Sequence, residues 1–383
     1  MSNKLTIIIP TRNRANLAIN AVESILGQQD LSPHILLSDN STNHEDSALL
    51  NDYVTSASSK SVTLIRPQKP LPMSDHWNWA MEHALTNTDS THFAILTDRM
   101  LFRPGSTREI LELIDEHPNK VISYTYDRIN DHAQPVVYQP LPRSGFILAL
   151  SSSHLLHMAA SMKFSSCLPR MLNSVSPRDL LEKMRVRFGS IFSSISPDYC
   201  YCFRALSQEN SIVYYDKSIL LSYAHDRSNG ANVSRGTQSL DHLDFLRSQS
   251  SGSINGNTPL PQIMTVGNAV VNEYNFVKEE SESPEFPEIK QDAYLGFLAQ
   301  EVSNYNNQEA MESAFLTLKN AGWIQPPPRM FSACVNFFNR AALWALSRKF
   351  GTSQDAIAYA LATGPRTHPI FFALRNDLKK AQI

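Results

Sequence analysis

The sequence predicts an α/β protein: a mostly parallel sheet flanked by helices, followed by a C-terminal α-helical extension. Three observations carry this prediction. Short apolar runs alternate with stretches of helical periodicity up to about residue 126. Several of those runs end abruptly in polar or charged residues. The last hundred or so residues return to helical spacing. Strands separated by helical patterns imply parallel pairing, because each crossover helix must carry the chain back to the same edge.

The elements follow in order. Leu5 to Ile9 reads as a buried strand that stops at Pro10 and releases Thr11, Arg12, Asn13 and Arg14. Leu17, Ala21, Val22 and Ile25 share one helical face. His34 to Ser38 and Val62 to Ile65 are the second and third strands. Ser74 to Ala84 reads as a helix with Ser74 as its cap and Asp75 in its first turn. Phe93 to Leu96 is a fourth strand, Ser106 to His117 a helix opened by Pro104-Gly105, and Val121 to Tyr126 a fifth strand. Residues 251–290, rich in Ser, Gly, Asn, Pro and Glu, read as linker or long loops. Phe331, Val335, Phe338, Ala342 and Leu346 fall at helical spacing after Pro326-Pro327-Pro328, with Gly351 as a natural stop. The expected division is 1–240 for the α/β domain, 241–290 for linker and long loops, and 291–383 for the helical extension.

Bulk composition narrows the function classes. The 383 residues are 42% hydrophobic and 18% charged, with a formal net charge of -2. No global basic field draws such a chain to nucleic acid. Cys167, Cys200, Cys202 and Cys334 lack a second Cys/His cluster that would complete a zinc site, so buried reduced thiols are expected. No run approaches the ~18 apolar residues of a membrane span, and no apolar signal core follows the N-terminus. A cytoplasmic location is expected, compatible with peripheral membrane contact. Neither G-x-G-x-x-G nor G-x-x-x-x-G-K-[ST] occurs, so phosphate is not gripped in the dinucleotide or P-loop manner. Ligands of open α/β sheets bind beyond the carboxyl ends of the strands. Pro10 to Arg14, Asp39-Asn40 and Asp98-Arg99 all stand at such ends and should share one crevice.

Five segments, in order over about residues 5–235, resemble family 2 glycosyltransferases. They are TIIIPTRNRANLAINAVESILGQ, LLSDNST, PLPMSDHWNWAMEHA, FAILTDRMLFRPG and SISPDYCYCFRAL. The resemblance implies a GT-A fold and an inverting transfer of sugar from a nucleotide-diphosphate donor, UDP-linked, to a hydroxyl of a glycan or lipid-linked glycan in surface polysaccharide synthesis. By it, Pro10, Thr11 and Arg14 line the nucleotide pocket. Asp39 accepts a hydrogen bond from the base, for which a carboxylate is the right partner of a ring N–H. Asn78 touches the nucleotide or holds a neighbouring loop. Asp98 matches the first acid of the metal-binding DxD motif, and Met100 replaces the last. Methionine suits magnesium or manganese poorly, so Arg99 would supply positive charge to the diphosphate instead. His225, in a late polar loop, would contact metal or phosphate. Asp198 is the expected general base, in a first helical turn whose dipole favours its ionised form.

Plainer roles compete with these. Asp39 would serve as a turn residue, Asp198 as a helix-start acid, His225 as a surface histidine, and Trp77 or Trp79 as core. Arg170 or Arg178 would meet an anionic acceptor or diphosphate, on charge alone. The helices of the extension would pack on the domain, join two copies, or touch a membrane. A rival reading is a degenerate member that binds nucleotide-sugar or glycan without turnover.

Overall fold

The computed structural model describes residues 4–28, 33–56, 61–132, 134–193, 195–227, 255–283, 285–324, 346–373 and 375–383. Its sheet starts where the apolar runs predict. Strands β1 (Leu5–Thr11), β2 (His34–Asp39), β3 (Val62–Ile65) and β4 (His92–Ile95) pair in parallel, in the order β3-β2-β1-β4. Every residue of β1 is buried, as expected for a strand with helices on both faces. Helix α1 (Ala15–Leu26) buries Ala15, Ala18, Ala21, Val22 and Ile25 against the sheet. Helix α2 (His44–Ser56) follows β2, and α3 (Met73–Asn87) follows β3.

The second half of the sheet mixes directions. β5 (Met100–Phe102), α4 (Ser106–Glu116) and β6 (Ile122–Asn130) lead to β7 (Val136–Gln139), which pairs antiparallel with β6. β8 (Ile147–Ser151) runs into α5 (Ser152–Ala160). The short β9 (Ser174–Pro177) lies antiparallel between β4 and β6 and joins the two halves. Helices α6 (Arg178–Phe188) and α7 (Pro197–Gln208) precede β10 (Ser211–Ser222), which runs parallel to β6 and antiparallel to β5 and β8.

Two sequence expectations change. Within the stretch read as linker, Val266–Ser281 forms a sixteen-residue helix, α8, capped by the Thr265 side chain. Its buried Val270, Tyr274 and Val277 join the main core. A helix of modest periodicity flanked by Ser, Gly and Pro is easily taken for loop. The C-terminal segment is also more than helices. After α9 (Gln291–Val302) and α10 (Gln308–Asn320), residues Arg348–Phe350 add strand β11 to the free edge of β7. Helix α11 (Ser353–Thr363) covers β7, and the backbone N–H of Ile383 bonds to Ala149 O on β8. The periodic stretch Phe331 to Leu346 lies almost wholly outside the described residues, as does Cys334. The other three cysteines are free and buried. Among the described residues, no helix is long and apolar enough to cross a membrane.

Candidate active site

A cleft of about 900 Å³ opens at the carboxyl ends of β1, β4 and β6. The loop after β1 forms its floor. Asn13 takes the left-handed conformation, with φ 56°, which Asn tolerates better than most residues. Its side-chain oxygen accepts from the backbone N–H groups of Thr42 and Asn43. The loops after β1 and β2 are thereby tied together, and Arg14 emerges just before α1. Arg12 donates to Leu71 O, and Asn40 bonds both backbone groups of Leu71, so the loop before α3 is drawn in as well.

Asp98 is 4% exposed at the centre of this floor. Thr11 Oγ1 donates to one of its oxygens at 3.0 Å and Arg14 Nη1 to the other at 3.3 Å. Arg99 stands 4.0 Å away. Burial, with the Arg14 charge nearby, lowers the Arg99 pKa from its ordinary value, while Asp98 opposes the shift. Its buried Nε has no hydrogen-bond partner among the described residues. A desolvated guanidinium of this kind suits an incoming anion.

The site offers a divalent cation little. Both Asp98 oxygens are already engaged, and Met100 is a buried strand residue opposite Ser222. Among the described residues, no three His, Cys, Asp or Glu side chains come together to hold an ion. A hard cation wants several oxygen ligands, and this donor set does not fit one. His225 does reach the cleft. Its backbone N–H and that of Ala224 are held by Asp131. Burial, aided by Arg128 and Arg99, lowers the His225 pKa to about 4, so the imidazole is neutral. Its buried Nε2 has no partner among the described residues.

Asp198 faces the same cleft from the first turn of α7, after Pro197. Glu273 of α8 accepts from the backbone N–H groups of Ile195 and Ser196 and so fixes the approach to that turn. Burial raises the Asp198 pKa, while Arg170 at 4.0 Å and the backbone N–H groups of the turn hold the shift back. A carboxylate whose pKa is moved upward, toward the working pH, suits a general base.

Of the residues read from the sequence, Pro10, Thr11, Arg14, Asp98, Arg99, Asp198 and His225 line this one cleft. Asp39 and Asn78 do not. Asp39 is 1% exposed directly behind it, accepts from Ser41 N at 2.8 Å, and has Arg66 3.6 Å from its other oxygen. Asn78 spends its side-chain amide on the backbone of Ile191 and Phe192. It thus holds a neighbouring loop and borders a separate cleft with Trp79 and Arg185. Trp77 packs edge-on against Phe192 in the core. Arg178 donates to the carbonyls of Leu85, Thr88 and Ser90, a structural clamp.

Sequence reasoning missed other walls of the cleft. Tyr126, Arg128 and Asn130 all line it from β6. Their two-residue spacing is the available signal, hidden because the strand runs past Tyr126. Gly267, Phe297 and Glu301 close the far side. Glu301 accepts from Gly267 N at 2.9 Å, and a Cβ at 267 would lie 2.5 Å from Phe297 and 2.6 Å from Glu301. Nothing in the local sequence marks these three.

Comparison with known proteins gives the following. Residues 6–164 match the family model of glycosyl transferase family 2. Asp198 and His225 lie beyond that match, and their placement rests on the geometry above. No curated protein matches the chain. Among solved structures, S. aureus TarS 1–349 in complex with UDP-GlcNAc is similar at 14% identity and a TM-score of 0.45, over 82% of this chain and 72% of that one. TarS 1–349 alone gives 12% and 0.44, over 83% and 88%. A longer TarS gives 13% and 0.43, over 80% of this chain and half of that one. With its family match over residues 6–164 and its helix-flanked sheet, the chain is a glycosyltransferase of GT-A fold.

Proposed function

We propose that the protein transfers a sugar from a nucleotide-diphosphate donor, UDP-linked, to a hydroxyl of a glycan or glycolipid in surface polysaccharide assembly. One observation carries this reading: Asp198 faces, across a single cleft, the Thr11–Asp98–Arg14 cluster at the strand ends. The nucleotide would lie over the loops after β1 and β2, with the diphosphate beside Arg14 and Arg99. The acceptor hydroxyl would enter from the side of Asp198. Asp198 takes its proton as the oxygen attacks the anomeric carbon, and the bond to the diphosphate breaks on the opposite face. One displacement of that kind inverts the configuration. The departing diphosphate gains charge as it leaves, and the guanidiniums of Arg14 and Arg99 are positioned to meet it.

The test is Asp198→Asn, which is nearly isosteric. UDP should bind with parental affinity, and transfer should fall by about 10²–10⁴. Parental turnover in the variant would place the base elsewhere. Failure of the parent protein to hydrolyse or transfer any nucleotide-sugar, with binding intact, would instead favour a binding protein.

A further inference from the structure

Two guanidiniums converge on one hydroxyl beside the candidate base. Arg170 Nη2 donates to Tyr126 Oη at 3.0 Å, and Arg128 Nη2 approaches the same oxygen at 3.4 Å. Both also lie over the Tyr126 ring, at 5.7 and 5.6 Å from its centre. Arg170 is held in place, donating to Asn173 Oδ1 and resting over Tyr199. Its single ion-pair partner among the described residues is Asp198, at 4.0 Å. Arg128 is exposed at the cleft mouth, and no described carboxylate lies within ion-pairing distance of it. Two cations thus share one hydroxyl and one distant carboxylate.

That arrangement leaves an excess of positive charge inside a cleft wall, which is unfavourable until an anion arrives. The Tyr126 hydroxyl registers the field: burial pushes its pKa up, yet the two arginines bring it down to about 7. The donor's diphosphate already has cations elsewhere, since Arg14 and Arg99 stand with Asp98 at the strand ends. Arg170 sits instead beside the residue that receives the acceptor's proton.

We propose that Tyr126, Arg128 and Arg170 form an anion subsite beside Asp198, and that the acceptor carries a phosphate or carboxylate near the hydroxyl to be glycosylated. The subsite rests on the reading of Asp198 as the base. An arginine pair matches either anion by paired N–H donors, as lysine would not. The negative group would dock first and fix the attacked hydroxyl over Asp198.

The experiment titrates the full chain, saturated with UDP, by calorimetry against three probes: glycerol 3-phosphate, methyl glucuronide and neutral methyl glucoside. At least one charged probe should bind about tenfold more tightly than the glucoside, as charge-assisted bonds to a guanidinium imply. Arg128→Gln, at an exposed position, should bring that probe within about twofold of the glucoside. Whichever of the two charged probes shows the larger loss identifies the anion. Equal binding of all three probes to the parent, or a preference that survives in Arg128→Gln, overturns the subsite. Failure of UDP itself to bind would sink the donor reading, and the Arg128 dependence of anion binding would still decide the subsite.

Discussion

Arg170 stands 4.0 Å from the carboxylate of Asp198 while its guanidinium lies 5.3 Å from the centre of the Tyr199 ring, the next residue along. The arginine therefore cannot swing away from the acid without losing its aromatic seat. Its charge opposes the burial that raises the Asp198 pKa. Arg170→Met removes the charge and keeps much of the bulk. The Asp198 pKa should rise further, so the acid limb of the rate profile should move to higher pH. The readout is the position of the limb, measured from pH 5 to 9, rather than the plateau. A limb that stays in place would mean that Arg170 does not set the ionisation of the base.

A second expectation concerns the cation. Asp98 is committed to Thr11 and Arg14, and Met100 is buried in a strand. Turnover with excess chelator should match turnover with added manganese within about twofold, because fixed guanidiniums need no ion to carry their charge. Arg99→Ala should then reduce turnover more than chelator does. Activity abolished by chelator and restored by manganese would make Asp98 a ligand instead.

Asp39 calls for a gentler substitution than removal. One of its oxygens already supports the loop through Ser41 N. Asp39→Asn keeps an acceptor for that bond and removes the charge. If the second oxygen receives the base of the nucleotide, UDP affinity should fall about ten- to a hundredfold, the worth of a charged hydrogen bond. Unchanged affinity by calorimetry would remove Asp39 from the donor site.

Stability should depend on pH through the buried histidines. Burial lowers the pKa of His76, His92 and His225 to about 4 each. The unfolded chain binds protons at these groups near pH 6.5 and the folded chain refuses them until about pH 4. Their contribution is therefore intact above pH 6.5 and is lost as pH falls from there toward 4. His76 is 3% exposed and bonded to Ser38 Oγ. Urea unfolding of His76→Gln at pH 5 and 6 should show a stability slope shallower by nearly one proton, about 1.4 kcal/mol per pH unit. An unchanged slope would mean that His76 is protonated in the folded protein.

The site divides by how it is written into the chain. Pro10, Thr11, Arg14, Asp98 and Asp198 are legible because each follows a local break: an apolar run ending in polar residues, or a proline opening a helix. Tyr126 and Arg128 are half legible, since strand alternation places them on one face but not in a cleft. Gly267, Phe297 and Glu301 cannot be read locally. Their place depends on how α8 and α9 dock, and docking is set by packing between distant segments rather than by any nearby pattern. Asn78 shows the opposite case. In the conspicuous Trp-Asn-Trp, Trp77 lines the main cleft but Asn78 does not, because its amide is spent on the backbone at 191–192.

The cleft reaches from Pro10 to Glu301, so its walls are among the most distant pairs in sequence that the fold brings together. Segments far apart along a chain meet slowly, since the intervening loop entropy is lost before any contact rewards it. The strands β1 to β4 need only short crossovers to find one another and should form early. The layer built from residues 255–302 should arrive later, leaving until then a sheet without a finished pocket. A nucleotide-sugar bridging both sides would then act as a clasp on that late layer. Amide hydrogen exchange in residues 266–302 should slow when ligand is added, while exchange in β1 and β2 stays as it was.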